Sequence, residues 1–370
     1  MRVLFSAPPQ TGHLLPALPT LSALRAAGHD VLLAGYGGNP RGYDVIGLPV
    51  VDVGDGMTVD QAYQALPSGN RFESVAALDG EEILRRPAAA NAILLRPTIG
   101  PLLDVVRDWR PDVLLYDPFQ GAFPLVAAIT GLPAVEHQFG PLNGRPLSRL
   151  LAAELADDYR EHGLDGPAHA VSIEVVPPSL HGPDPDSWQV RYVPLHGASG
   201  LPRDLLAPGD RPRVLVSFGT VVRAEERDRR LGALLPRLAR LDADFLLPAA
   251  AGLDGLPGNV RALPWVPVTE VLRHCRAIIH HGGAGTLMAA VTTGTPQLIV
   301  PHHGDQPYNA DLVTKTGIGL RADTVDTIDD DLLDRLLHDE TLLAGAEAMR
   351  AENARQPAPS TLVTRFAQLA

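Results

Sequence analysis

One cysteine, one lysine and few aromatic side chains set this sequence apart before any motif is read. Cys275 on its own rules out an intramolecular disulfide and fits a reducing compartment. Basic side chains are almost all Arg, with Lys315 the single lysine, and the formal net charge is −12 over 370 residues. With no basic run to offset it, that charge excludes a general nucleic-acid binder. It leaves room for one small anionic ligand held by local dipoles. No stretch approaches 18 uninterrupted apolar residues, so no membrane span is expected. The opening "MRVLFSAPPQTGH" is an apolar run broken at once by prolines, which reads as a strand and not as a leader peptide. The expected location is cytoplasmic. Hydrophobic residues at 45% and charged residues at 20% suit a globular chain, long enough for two domains of ordinary size.

Short apolar strands alternate with helical patterns from the start. "RVLFS" (2–6) is a strand, "LLPALPTLSALRAAG" (14–28) a helix with Gly28 at its C-terminal cap, and "DVLLAG" (30–35) the next strand. "PDVLLYD" (111–117) and "LPAVEHQF" continue the series, which implies a parallel sheet covered on both faces. Residues 52–95 read as helices and loops over one end of that sheet. A second series begins at "RPRVLVSFGT" and runs through "ADFLLPAA", "NVRALPWV", "RAIIHHGG" and "TPQLIVP". The expected organisation is a domain over 1–196, a Pro/Gly-rich linker over 197–212, a second domain over 213–356, and a closing amphipathic helix over 357–370. Two doubly wound α/β halves would then face a central cleft.

The most specific stretch is "HHGGAGTLMAAVTTGTPQLIVPHHGDQ" (280–306). "RAIIHH" reads as strand and "LMAAVTTG" as helix, so "GGAGT" is the turn between them. Such a turn aims backbone N–H groups and a positive helix end outward, which suits an anion. An ordinary tight turn would look the same. Two rival phosphate motifs fail. A dinucleotide fingerprint would need glycine where Met288 stands, and a P-loop would need Lys315 inside a Gly-Lys-Ser/Thr triplet.

The block "WVPVTEVLRHCRAIIHHGGAGTLMAAVTTGTPQLIVPHHGDQPYNA" resembles the sugar-nucleotide box of GT-B glycosyltransferases. It is most similar to actinobacterial enzymes that decorate antibiotics and other natural products, the enediyne type included. The similarity extends from "TGHLLP" through "VSFGT" to the C-terminus. It implies a GT-B fold of two Rossmann-like domains and a nucleotide-sugar co-substrate, with no further cofactor. By the same resemblance, Trp265 stacks on the base and the backbone of Val266 meets its edge. His281, Gly282, Gly283, Gly285 and Thr286 match the diphosphate elements, with Ser217 and Thr220 near the phosphates. Asp305 and Gln306 match the pair that bonds sugar hydroxyls. The bland alternatives are a core tryptophan and a helix-capping aspartate. Ala289 stands where enzymes using UDP-sugars often place a ribose-binding glutamate. Losing that acceptor fits a dTDP-sugar, whose ribose has one hydroxyl fewer.

Glycosidic bond formation also needs a base. His13 lies at the N-terminus of the first helix, where the dipole favours a neutral ring. Asp117 ends a strand at the same carboxyl edge, where ligands gather in such folds. A carboxylate on one ring nitrogen would fix the tautomer and stabilise the developing positive charge. The resemblance assigns His13 and Asp117 those same roles, and the alternatives are a helix cap and a structural acid. His137 is the reserve base or, with Phe139, part of the acceptor pocket. The implied reaction is inverting transfer of a (deoxy)sugar to a natural-product hydroxyl, without a metal, because a helix terminus and a histidine take the cation's place. "DPD" (184–186) and "DAD" (242–244) lie outside the donor box and are discounted as metal sites. Competing readings are a sugar-nucleotide 2-epimerase and a non-catalytic sugar-nucleotide binder. Assembly as a homodimer is plausible but has no sequence warrant.

Overall fold

The structure is a computed structural model that describes residues 1–38, 40–67, 82–196, 200–207, 209–219, 224–248 and 255–369. Its first sheet contains β1 (Arg2–Ser6), β2 (Asp30–Gly35), β3 (Val50–Asp52), β4 (Val113–Tyr116), β5 (Ala134–His137), β6 (Ala170–Glu174) and β7 (Ser187–Gln189). Their order across the sheet is β3-β2-β1-β4-β5-β6-β7. The second sheet contains β8 (Arg213–Ser217), β9 (Asp244–Pro248), β10 (Val260–Leu263), β11 (Ala277–His280), β12 (Gln297–Ile299) and β13 (Gly319–Arg321), in the order β10-β9-β8-β11-β12-β13. Every neighbouring pair is parallel.

Central strands are apolar on both faces because helices cover both: Val3, Leu4 and Phe5 are fully buried, as are Val113, Leu114 and Leu115. The strands read from the sequence are β1, β2, β4, β5, β8, β9, β10, β11 and β12, and the interior strand β6, "AVSIE", is missed. Three further short strands, β3, β7 and β13, read "VVD", "SWQ" and "GLR", too short and too polar to carry a continuous apolar signal.

The chain divides into two compact units. Unit 1 holds Met1–Val176, Asp184–Leu195 and Gln356–Ala370, and unit 2 holds Pro177–Pro183 and His196–Arg355. The sequence-based division is refined in detail, beginning with Pro177–Pro183, which lies inside 1–196 yet belongs to unit 2. The described part of the 197–212 segment belongs to unit 2, where Leu205 is 1% exposed and accepts from Arg213 Nη1 through its carbonyl at 3.2 Å. The closing helix Leu362–Ala367 belongs to unit 1, with Phe366 buried against Trp188 at 5.8 Å between ring centroids and Arg365 over the same indole.

Between β3 and β4 lie helices Val59–Gln64, Glu82–Leu95 and Ile99–Trp109. The run Ile83–Trp109 is the one helical stretch among the described residues long and apolar enough to cross a membrane. In unit 1 its Leu84, Ala88, Ala92, Leu95 and Leu102 pack into the core beside Leu114 and Phe123.

Candidate active site

In unit 1 the loop after β1 feeds helix Thr11–Ala26, so His13 sits in its first turn at the carboxyl edge of the sheet. Asp117 directly follows β4, the strand beside β1, and its N–H donates to Ser6 O at 3.0 Å. Adjacent parallel strands thus bring residues 104 positions apart into contact: His13 Nδ1 lies 2.9 Å from Asp117 Oδ2. A carboxylate only accepts, so Nδ1 carries the proton and Nε2 keeps its lone pair. The other carboxylate oxygen accepts from Phe119 N at 2.9 Å, which fixes the acid from both sides. Asp117 is almost wholly buried, whereas the His13 side chain retains 13% exposure.

The His13 ring is held between Phe119, with centroids 4.8 Å apart, and Phe139, 4.5 Å apart. Phe119 was not anticipated. Its only signal is an aromatic two residues beyond a strand-end acid in "YDPF". Behind the pair, Gln120 Nε2 donates to Ser6 Oγ at 2.9 Å and Ser6 Oγ donates to Ala34 O at 2.7 Å, tying the carboxyl ends of β1, β2 and β4 together.

His137 departs from its expected place. It is 2% exposed, its Nδ1–H donates to Gln138 O at 2.8 Å, and its Nε2 accepts from Thr20 Oγ1 at 3.0 Å. Burial lowers its pKa to about 4. With both nitrogens used inside the core, it is neither a reserve base nor a lining residue. Phe139, at 7% exposure, packs on the His13 ring.

Unit 2 builds the glycine turn between β11 and helix Ala284–Thr293. No side chain caps that helix and no acid sits in its first turn, so its leading N–H groups remain available to an anion. His280 is fully buried, with Nε2–H on Gln297 Oε1 at 2.9 Å and Nδ1 accepting from Gly282 N at 3.1 Å. It braces the turn from below. The sequence reading gave it no role, although a histidine on a buried strand needs two partners.

His281 lies over the turn, with Nδ1 3.4 Å from Ser217 O. A methyl group on Gly219 would approach its Nε2 to 2.8 Å, and one on Gly283 would approach it to 2.5 Å. The two glycines make the slot for this ring. Gly282 adopts φ +89, and a side chain there would strike Ile299. Over Gly285, by contrast, nothing lies within 4 Å. Burial lowers the His281 pKa to about 4 and that of His280 to about 3.

The sign of the pH effect follows. Unfolded histidines take up protons near pH 6.5 and these two do so only near 4 and 3 when folded. Unit 2 therefore loses stability as pH falls from about 6.5 towards 4, at up to about 2.7 kcal/mol per pH unit for two protons. We expect both rings to keep neutral chemical shifts down to pH 5 in a histidine NMR titration. Titration of either near 6.5 would refute the buried, neutral assignment.

Trp265 follows β10 and is 57% exposed, so it is not core. Val266, next to it, is 2% exposed. Thr286 N bonds Gly283 O at 3.1 Å in the first helical turn. Thr220 lies outside the described residues. Asp305 occupies the N-cap position of helix Gln306–Lys315 but makes no capping bond; its Oδ2 accepts from Asn309 Nδ2 at 2.8 Å. Asn309 Nδ2 also reaches Gly282 O at 2.8 Å, so the acid–amide turn and the glycine turn are fastened together. Gln306 is 5% exposed, with Oε1 accepting from His302 N at 2.8 Å and His303 N at 3.2 Å. Its oxygen shapes the turn. Ala289 is 2% exposed in the apolar cluster containing Leu215 and Ile278. Of the two Asp-x-Asp strings, Asp184 pairs with Arg145 at 2.6 Å and Asp244 pairs with Arg211.

Comparison with known proteins shows the family to which these two units belong. Residues 22–219 match the model of the erythromycin biosynthesis protein CIII-like N-terminal domain, and residues 232–369 match that of its C-terminal domain. The chain is 34% identical over 375 residues to the elloramycin glycosyltransferase ElmGT of Streptomyces olivaceus, covering 99% of this chain and 97% of that one. Among solved structures it resembles the glycosyltransferase SnogD of Streptomyces nogalater at a TM-score of 0.82 and 34% identity, over 100% of this chain and 99% of that one. It also resembles the Streptomyces sp. SF2575 glycosyltransferase SsfS6 complexed with thymidine diphosphate, at a TM-score of 0.85 and 27% identity, over 100% and 99% of the two chains. The chain belongs to the erythromycin biosynthesis protein CIII-like family and is a glycosyltransferase of the GT-B fold.

Proposed function

We propose that this glycosyltransferase moves a deoxysugar from a dTDP-sugar to a hydroxyl of a natural-product aglycone, with inversion, without a metal, and with His13 as general base. The observation that carries the reading is the 2.9 Å bond between His13 Nδ1 and Asp117, which leaves Nε2 as the basic atom. The acceptor O–H gives its proton to Nε2 as its oxygen bonds the anomeric carbon. The bond from that carbon to the diphosphate breaks on the opposite face. Asp117 stabilises the imidazolium that results. The charge gathering on dTDP meets the first turn of helix Ala284–Thr293 and His281. A diphosphate beside His281 favours a proton on Nε2, so donor binding draws one from solvent.

Trp265, exposed and flat, suits stacking on a base. Ala289 offers no acceptor for a second ribose hydroxyl, which supports the deoxyribose donor, as does the thymidine diphosphate held by SsfS6.

Thermal melting with dTDP and with UDP tests the donor. At a hundred times its Kd, dTDP should add about 2.7 kcal/mol of stability, and UDP less. Equal or greater stabilisation by UDP would sink the deoxyribose argument. Proton coupling at the anomeric carbon of the product tests inversion, and a retained configuration would rule out single displacement.

A further inference from the structure

Helix Ala224–Leu238 carries a guanidinium for which the donor box gives no account. Arg230 is 13% exposed, its Nε donates to Glu226 Oε1 at 2.8 Å, and its Nη2 donates to His302 Nδ1 at 2.6 Å. An ordinary surface pair at (i, i+4) would be solvated and would stay on its own helix. This one is partly buried and bridges to the turn after β12. His302 N donates in turn to Gln306 Oε1 at 2.8 Å, so Arg230 is connected to the acid–amide pair.

Because the guanidinium can only donate, His302 Nδ1 accepts and Nε2 carries the proton. The pair therefore presents N–H donors and no acceptor beyond those already used. Glu226 also takes Arg229, so two guanidinium groups share one carboxylate and the cluster is a local cation in a chain of net charge −12. Its field extends to the glycine turn, since Arg230 opposes protonation of His281.

We infer that Arg230, braced by Glu226 and joined to His302, supplies a cation to the donor's diphosphate and holds the 301–306 turn in register with it. The inference rests on unit 2 being the donor site and assigns that site a further residue. Arg230 is a binding and positioning residue; it has no part in proton transfer.

The test is calorimetric titration of the purified chain with dTDP and with thymidine, at low and moderate salt. Arg230→Gln should weaken dTDP roughly tenfold, leave thymidine unchanged and flatten the salt dependence. Arg230→Lys, which keeps the charge without the fork, should recover part of the loss. Arg240→Gln, which breaks an exposed pair with Asp330 on the same unit, should change neither affinity. If Arg230→Gln melts early, His302→Asn carries the comparison, with roughly a threefold loss confined to dTDP. Affinity for dTDP within twofold of wild type, or an equal loss for dTDP and thymidine, would overturn the inference. Wild-type protein that binds neither probe would overturn the donor-site reading and this inference with it.

Discussion

His13→Ala should lower kcat for sugar transfer by about 10²–10⁴-fold, the usual range for removing a general base, and leave dTDP affinity unchanged. The separation is expected because His13 belongs to unit 1 and the elements proposed to hold the donor belong to unit 2. Stability should fall little, since the ring keeps 13% exposure and truncation leaves Asp117 with its bond from Phe119 N. Asp117→Asn should have the second-largest effect on kcat. The carboxamide can rotate its NH₂ towards Nδ1, which turns Nδ1 into an acceptor and places the proton on Nε2, where the lone pair is needed. Initial rates with a saturating aglycone, alongside dTDP melting curves, decide the matter. A His13→Ala enzyme with more than a tenth of wild-type kcat would remove His13 from the chemistry. Phe119 and Phe139 would then be left packing a structural histidine.

The other large effect is expected at Gly283. Its φ of −62 and ψ of 139 suit any residue, so alanine is not strained there by the backbone. The obstacle is the ring of His281, whose Nε2 would lie 2.5 Å from the new methyl. That ring is also confined by Gly219 and by Ser217 O, so it must leave its slot. Gly283→Ala should therefore weaken dTDP by about a hundredfold, equivalent to about 2.7 kcal/mol. Gly285→Ala is the informative partner. Nothing in the chain meets its methyl, and alanine should favour the helix by up to about 1 kcal/mol. If Gly285→Ala melts higher and yet binds dTDP more weakly, the space over residue 285 is reserved for ligand. If Gly283→Ala binds dTDP normally, His281 takes no part in holding the diphosphate.

Much of this molecule is written locally. Short apolar strands alternating with helices impose parallel sheets, because only burial on both faces accommodates runs such as "RVLFS" and "VLLY". "HHGGAGT" after a buried strand and before a helix is legible as a turn that suits an anion, and His13 at the N-terminus of the first helix is legible as a candidate base with a helix cap as the alternative. Relations between distant segments are not written that way. Nothing near His137 in the chain announces Thr20, whose hydroxyl occupies one of its nitrogens, so a residue read as facing a ligand turned out to face a helix. Phe119 earns its place only because the register of β1 on β4 sets it against His13. Arg230 reads as one more charge in "AEERDRR" until the fold brings His302, 72 residues on, within hydrogen-bonding reach. The closing helix shows an apolar face in sequence, and only packing reveals that Trp188 of unit 1 receives it. Sequence periodicity determined the elements and the motifs at their ends, because those depend on neighbours a few residues away. Side-chain partners were decided by tertiary structure, because strand order and register choose which distant residues share a face.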